Sequence, residues 1–163
     1  MKNSKAYVVG SDVKESLSPL IFNYWFDKYN INAEYQIKEI KTEFFDDKIK
    51  KLLEEDGLCG LNITIPFKER IIKHLNETDE HSTKIGAVNC VCISKSKLIG
   101  INTDWSGFGN AIKEKRIDKE NKNNKIIIIG FGGAAKGILY YFLKEGHKEI
   151  HIFNRTHNKI KNI

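Results

Sequence analysis

The feature that most constrains the fold is a glycine loop that directly follows a run of β-branched residues. Residues 125–129 form a near-continuous apolar strand. The next six residues fit the pattern G-x-G-x-x-[G/A], with Gly130, Gly132 and Ala135 at its fixed positions. A helical stretch to about residue 145 and a strand at residues 149–153 complete one β-α-β unit. This order predicts an α/β protein with a parallel sheet whose strands are buried on both faces.

The small residues of the loop suit the binding of a dinucleotide. Gly130 permits a tight turn, Gly132 lets the backbone approach a pyrophosphate, and Ala135 lets the helix pack on the strand. The pyrophosphate would lie at the N-terminus of the helix. Glycine turns without ligands are common, so the position between a strand and a helix gives the pattern its weight. The predicted cofactor-binding residues of the loop are Gly130, Gly132, Gly133, Ala134 and Ala135.

The second strand of this unit ends where such sites place the residue that reads the ribose, about 20 residues after the loop. An NAD site would favour Asp or Glu there, but the chain has Asn154, Arg155 and Thr156. A planar guanidinium beside neutral hydrogen-bonding groups suits a 2′-phosphate. We therefore predict NADP as the cofactor and these three residues as part of its site. The alternative is that Arg155 is only a solvated loop cation.

The residues before the glycine loop predict a separate α/β region. The predicted strands are residues 5–10, 33–40, 58–65, 87–94 and 97–101, and the predicted helices are residues 18–29, 43–55, 67–75 and 104–115. Residues 118–125 are rich in Asn and Lys and predict a domain boundary. We expect a substrate-binding domain with a mixed, mostly parallel sheet at residues 1–103. A connecting helix and linker follow at 104–124, and a Rossmann-type domain begins at 125–163.

Polar side chains follow the ends of several predicted elements, where α/β proteins assemble their sites. Ser16 and Ser18 could bind a carboxylate at the mouth of a helix, although Ser18 could merely be the N-cap residue before Pro19. Lys68 and Asp104 each follow a predicted strand. A lysine ammonium can stabilise the alkoxide that develops as hydride arrives and can donate the proton. A nearby carboxylate would keep the lysine charged and accept a hydrogen bond from a substrate hydroxyl.

Composition and charge argue against several other functions. The net charge of +6 is spread along the chain, and its densest stretch, residues 113–125, alternates with acidic side chains, so no nucleic-acid partner is predicted. The five histidines lack metal-ligand spacing, and no metal site is predicted. The longest apolar run, residues 126–129, is far shorter than the roughly 20 residues that span a bilayer. We expect a cytoplasmic protein without a membrane partner and leave a homodimer open.

The order of these clusters closely resembles the shikimate dehydrogenase family over residues 6–156. The motifs are S-x-S at 16–18, N-[VI]-T-x-P-x-K at 62–68, G-A-x-N at 86–89, N-T-D-x-x-G at 102–107, the glycine loop, and N-R-T at 154–156. The resemblance implies reversible NADPH-dependent reduction of 3-dehydroshikimate to shikimate, with Lys68 and Asp104 as the catalytic pair. It also implies that six residues bind the substrate's carboxylate and ring hydroxyls: Ser16, Ser18, Asn62, Thr64, Asn89 and Thr103.

Two features depart from the family pattern. Cys90 stands where the family usually has Thr, and it would share a strand face with Cys92; we expect all three cysteines to be reduced, packed thiols. A dinucleotide domain of this type has about six parallel strands, whereas residues 125–163 supply two. We therefore expect a C-terminally incomplete chain with an exposed apolar sheet edge and face. Two alternatives stay open: a quinate/shikimate dehydrogenase, and a non-catalytic fragment that binds shikimate.

Overall fold

The computed structural model describes residues 4–115, 124–156, 158, 160 and 161. The strands are β1 (Ser4–Gly10), β2 (Ala33–Glu39), β3 (Leu58–Ile63), β4 (Glu77–Thr78), β5 (Cys90–Ser94), β6 (Lys97–Ile101), β7 (Ile126–Ile129) and β8 (Ile150–Phe153). The α-helices are α1 (Ser18–Lys28), α2 (Phe45–Leu53), α3 (Glu80–Ile85), α4 (Asp104–Glu114) and α5 (Gly133–Lys144). Short 3₁₀ helices lie at Thr42–Phe44 and Arg70–His74.

The first six strands form one sheet in the order β2-β1-β3-β5-β6-β4. β1 is parallel to both β2 and β3, and β4 is parallel to β6. β5 is antiparallel to β3 and β6, because β5 and β6 form a hairpin whose turn residues Lys95 and Ser96 have φ angles of 49° and 62°. The predicted mixed, mostly parallel sheet is therefore confirmed.

Both faces of this first sheet are covered. Tyr7 and Val9 of β1 point into the larger core, which contains Phe45 and Ile49 from the α2 side. Val8, between them in sequence, points to the opposite face and packs in a second core beneath α1. Because alternate strand residues point to opposite faces, the continuous apolar run of β1 fits a central strand with a helical layer on each side.

The second sheet consists of β7 and β8, which are parallel and joined by α5. Ile128 is buried beneath α5 with Phe131 and Leu139, whereas Ile127 and Ile129 are 63% and 86% exposed. The prediction of a strand buried on both faces is thus wrong for the described residues, since only α5 covers this sheet. The expected exposed apolar face is confirmed.

Helix α4 connects the two sheets and packs on α5 at a glycine. A Cβ atom added to Gly109 would lie 2.4 Å from Cε2 of Tyr141, so a side chain at this position would clash with the ring. The helix agrees with the predicted stretch 104–115. The rest of the predicted linker falls on residues 116–123, which lie outside the described residues.

Several element predictions differ from the structure. The strand predicted at residues 58–65 ends at Ile63, and a cis peptide precedes Pro66. The helix predicted at 67–75 is a 3₁₀ helix at Arg70–His74, and the strand predicted from 87 begins at Cys90. Helix α3 was not predicted, although the Asp79 side chain caps its N-terminus and a left-handed glycine ends it. No helix of the described residues is long and apolar enough to cross a membrane.

Candidate active site

A cavity of about 630 Å³ opens beside the carboxyl ends of β1 and β3. Its polar lining brings together six predicted residues from three separate segments of the chain. They are Ser16, Ser18, Asn62, Thr64, Lys68 and Asn89. The carboxyl ends of neighbouring parallel strands meet at one edge of a sheet, which explains why distant motifs converge here.

Lys68 and Asp104 form an ion pair at one side of this cavity. The Lys68 Nζ atom donates to Asp104 Oδ2 at 2.6 Å, and the two side chains are only 14% and 23% exposed. Asp104 is the first residue of α4, and its backbone N–H donates to the side-chain oxygen of Asn102 at 3.0 Å. Asn102 is itself buried and donates to the carbonyl of Ala87. The predicted catalytic pair is therefore held in place by buried hydrogen bonds.

Asn89 uses its side-chain amide to hold the neighbouring predicted residues. Its Nδ2 group donates to Asp104 Oδ1 at 2.8 Å and to Thr103 Oγ1 at 2.9 Å. Its Oδ1 atom accepts from the Thr103 backbone N–H at 2.8 Å. An amide has two donor hydrogens, and both are used by the protein. In this structure Asn89 thus orients Asp104, and the contact to substrate that the resemblance implies for Asn89 stays a prediction.

Asn62 differs from Asn89 because only its oxygen is bonded to a described residue. The hydroxyl of Tyr35 donates to Asn62 Oδ1 at 2.6 Å. Tyr35 is 3% exposed, and burial raises the pKa of its phenol to about 12. The sequence analysis missed Tyr35, and no linear pattern indicates it, since Tyr35 and Asn62 are brought together only by the order of strands in the sheet.

The two serines lie at the start of α1. The N-cap residue is Leu17, with Ser18 and Pro19 in the first turn, so the interpretation of Ser18 as the capping residue is wrong. The Ser18 backbone N–H instead donates to Ser16 Oγ at 3.3 Å. Ser18 lines the cavity, and its hydroxyl is a hydrogen-bonding neighbour of the Tyr35 hydroxyl.

The glycine loop lies against the segment that carries Lys68. A Cβ atom added to Gly133 would be 2.9 Å from Lys68 Cβ, so glycine permits this approach. Gly130 has a φ of 92°, which only glycine adopts readily, and the space around Gly132 is open. A further cavity of about 210 Å³ lies between Lys68 and Gly133. Ala134 and Ala135 lie in the first turn of α5.

The end of β8 meets the glycine loop through Asn154. Its Oδ1 atom accepts from the Phe131 backbone N–H at 3.1 Å, and its Nδ2 group donates to the Thr156 carbonyl at 2.8 Å. Arg155 is exposed beside a cavity of about 330 Å³ and has no ion-pair partner among the described residues. Asn154 therefore shapes the loop, while Arg155 and Thr156 are the accessible members of this predicted set.

The cysteines are free, as the sequence predicts. Cys90 and Cys92 are partly buried with their sulfur atoms 3.9 Å apart, and burial raises the pKa of the Cys90 thiol to about 12. Cys59 is an exposed residue, so the prediction that all three thiols are packed is wrong for it.

Comparison with protein-family models decides the family. The model described as the shikimate dehydrogenase substrate binding domain matches residues 8–91, about half of the chain. The chain belongs to the shikimate dehydrogenase family. A second model, described as shikimate / quinate 5-dehydrogenase, matches residues 112–163. The predicted resemblance is therefore confirmed. The first match ends before α4 begins, and the second match begins near the end of α4.

Curated relatives carry the name shikimate dehydrogenase (NADP(+)). The relative from Clostridium botulinum strain Hall is 41% identical over 94% of this chain, and that from Caldanaerobacter subterraneus is 40% identical over 94%. The chain covers 58% and 54% of these two proteins, respectively. It therefore spans a little over half the length of the curated relatives.

Solved structures of the family have the same fold over this part. The Thermotoga maritima shikimate dehydrogenase superimposes with a TM-score of 0.85 at 34% identity, covering 98% of this chain and 58% of that one. The Thermus thermophilus shikimate 5-dehydrogenase, solved in complex with NADP(H) and shikimate, gives a TM-score of 0.80 at 27% identity. That match covers 96% of this chain and 57% of that one.

Proposed function

We propose that a protein carrying this chain catalyses the reversible NADPH-dependent reduction of 3-dehydroshikimate to shikimate. The observation that carries the proposal is the Lys68–Asp104 ion pair, which joins a polar cavity to the glycine loop. This arrangement supports a role for Lys68 as a proton donor between a proposed site for a small hydroxy acid and a proposed site for a dinucleotide. The names of the curated relatives support the same reaction.

The residues of the glycine loop fit a dinucleotide. The open space around Gly132 leaves room for a pyrophosphate beside the first turn of α5, and Arg155 is free to pair with a 2′-phosphate. NADPH, when bound, supplies the hydride. We propose that the loop residues 130–135 with Arg155 and Thr156 contact it, and that Asn154 holds the loop.

The catalytic pair would act on the carbonyl oxygen of the substrate. The Lys68 ammonium donates a hydrogen bond to this oxygen, stabilises the negative charge that develops there, and gives up the proton. Asp104 keeps Lys68 charged and oriented and accepts a hydrogen bond from a neighbouring ring hydroxyl. Asn89 and Thr103 contribute by fixing Asp104.

The remaining polar residues of the cavity would bind the rest of the substrate. Ser16 and Ser18, at the start of α1, can donate hydroxyl hydrogens to the carboxylate, where the helix dipole also favours negative charge. Asn62 and Thr64 then face the ring hydroxyls. We propose residues 1–103 as the domain that binds the acid and residues 125–163 as the start of the cofactor domain, with 104–124 connecting them.

The assay that tests this proposal measures the loss of NADPH absorbance with 3-dehydroshikimate. Because the chain covers 58% of the Clostridium botulinum relative, both the chain itself and the chain extended by that relative's remaining C-terminal residues are assayed. Turnover by the extended protein supports the proposal. Absence of turnover from a well-folded extended protein would refute it.

Quinate is a second candidate substrate, favoured by the name of the family model that matches residues 112–163. Parallel assays in the oxidising direction with shikimate and quinate decide between the two acids. A non-catalytic role in binding shikimate is the third candidate. It predicts that the chain binds shikimate while the extended protein shows no turnover with either acid.

A further inference from the structure

Tyr35 is fixed at three points behind the wall of the large cavity. Its ring stacks on Phe22 with centroids 4.5 Å apart and an interplanar angle of 7°. Its backbone N–H and carbonyl are both bonded to the side chain of Asn23, at 2.8 and 3.0 Å. Its hydroxyl is bonded to Asn62 at 2.6 Å. A phenol held in this way has little freedom to follow a ligand.

The direction of the Tyr35 hydrogen bond fixes the orientation of the Asn62 amide. The Tyr35 hydroxyl donates to Asn62 Oδ1, which leaves the Nδ2 group of the same amide on the other side. Burial raises the pKa of Tyr35 to about 12, so the hydroxyl keeps the hydrogen that it donates. Asn62 lines the cavity, and its Nδ2 group has no acceptor among the described residues.

We propose that Tyr35 is a positioning residue that orients the Asn62 amide so that Nδ2 donates to an oxygen of the bound hydroxy acid. The proposal rests on the function proposed above, since that function supplies the ligand. Tyr35 does not line the cavity and acts on the ligand through Asn62, while its other polar neighbour there is the Ser18 hydroxyl. Asn62 thereby favours the binding of a ligand that has an acceptor oxygen next to Nδ2. A ligand with a bare ring carbon at this point would bury the Nδ2 donor without a partner, which is costly.

Tyr7 provides a matched control. It is buried to 2% exposure, its hydroxyl donates to a side-chain oxygen of Glu55 at 2.7 Å, and its pKa is also raised to about 12, mainly by burial. It lies on β1 beside Tyr35, but its side chain points to the opposite face of the sheet and away from the cavity. Replacement of either tyrosine by phenylalanine removes the hydroxyl of a buried residue, and only the hydroxyl of Tyr35 bonds to a residue that lines the cavity.

The first test is calorimetric titration of the 163-residue chain with shikimate. Tyr35→Phe should weaken binding about 10-fold, which corresponds to about 1.4 kcal/mol, whereas Tyr7→Phe should leave it within about twofold of wild type. Adding Tyr35→Phe to Asn62→Ala should weaken binding much less than Tyr35→Phe weakens it in wild type, because most of the effect of Tyr35 passes through the amide that Asn62→Ala removes. Tyr35→Phe binding within about twofold of wild type would overturn the proposal, as would an equal loss from Tyr35→Phe in the two backgrounds.

The second test needs neither a variant nor a ligand. In nuclear magnetic resonance spectra of the free chain, the Asn62 Nδ2 protons should give at most weak nuclear Overhauser contacts to the Tyr35 ring edge beside the hydroxyl. Strong contacts would mean that Nδ2 rather than Oδ1 faces the hydroxyl and would overturn the proposal even if Tyr35→Phe fails to fold. If the wild-type chain does not bind shikimate, this measurement alone decides the orientation of Asn62, and the turnover assay of the extended protein separately decides the proposed function.

Discussion

The two sheets of this chain differ in how completely their strands are covered. In the central strand β1, Val8 and Val9 are 5% and 0% exposed, because α1 and α2 cover opposite faces. In β7, which is just as apolar, Ile128 is 7% exposed while Ile129 is 86% exposed. Similar runs of β-branched residues thus lie in a two-sided core in one region and in a one-sided core in the other.

This difference extends to the functional residues. In the first region the polar side chains around Lys68 are bonded to one another and form one wall of a cavity. In the second region the glycine loop is open and Arg155 has no ion-pair partner among the described residues. This difference supports the proposal that the first region supplies the acid site with its proton donor, and that the second supplies only part of a cofactor site.

The largest expected effect tests whether the chemistry belongs to the first region. Lys68→Met should lower turnover of the extended protein with 3-dehydroshikimate roughly 100- to 1000-fold, because it removes the donor to the developing alkoxide. The control is Lys84→Met, since Lys84 also forms an ion pair of 2.6 Å, with Glu80, but on the exposed surface of α3. Steady-state kinetics of NADPH oxidation measure both variants. Turnover that survives Lys68→Met would remove Lys68 from the mechanism.

The second expected effect concerns the cofactor site of the second region. Arg155→Asp should raise the KM for NADPH about 10- to 100-fold and leave that for NADH nearly unchanged, because a charge-assisted hydrogen bond to the 2′-phosphate is lost. Lys148→Asp makes the same charge change at a position away from the glycine loop. Equal effects of Arg155→Asp on both nucleotides would mean that Arg155 is only a solvated loop cation.

The third prediction separates the stabilities of the two regions. Gly109→Ala should lower the free energy of unfolding of the second region by about 1–3 kcal/mol, because the new Cβ would clash with the Tyr141 ring. Gly107→Ala, on the same helix but with open space around it, should raise stability by about 0.5–1 kcal/mol. Urea denaturation measures the free energy of unfolding of each variant. Amide hydrogen exchange shows which strands lose protection from exchange. Equal loss of protection in β1 and in β7 would show that the regions unfold as one unit.

The smallest expected effect is a pH dependence within the first region. Lys73, His74 and Arg70 all bond to the Asp46 carboxylate, and these bonds hold its pKa well below the usual range. A carboxylate with a depressed folded pKa stabilises the fold above its unfolded pKa of about 3.9, and this contribution disappears as the pH falls below that value.

Thermal unfolding of Asp46→Asn and wild type at several pH values measures this contribution. Wild type should be the more stable protein near neutral pH, and the difference should shrink at acid pH. The exposed neighbour Asp47 gives the control, because no hydrogen bond or ion pair joins its side chain to the described residues and Asp47→Asn should leave the stability near neutral pH close to that of wild type. A pH-independent difference between wild type and Asp46→Asn would show that the charge of Asp46 does not contribute.

Local patterns in the sequence predicted most elements, because strands and helices carry their own periodicity and the motif residues lie at element ends. The sequence did not predict α3, which has only six residues, or the shortening of the helix expected after Phe67. The roles of Asn89 and Asn154 were also not predictable. Whether an amide binds a ligand or the protein depends on partners such as Asp104, which lies 15 residues away in sequence.

Tyr35 shows the same limit more clearly. Its partner Asn62 is 27 residues away, and two strands must pair with β1 before the hydroxyl can reach the amide. By contrast, Lys68 and the glycine loop each belong to a motif that the sequence already shows. The sequence thus predicted which segments form the site, and the structure adds which side chains orient the others.

Calorimetric titration of the 163-residue chain with shikimate, using one variant from each region, tests the division of roles most directly. Wild type should bind one shikimate per chain. Ser18→Ala should weaken that binding about 10-fold, and Arg155→Asp should leave it unchanged. A folded wild-type chain that shows no binding, or equal weakening by Ser18→Ala and Arg155→Asp, would contradict an acid site supplied by the first region.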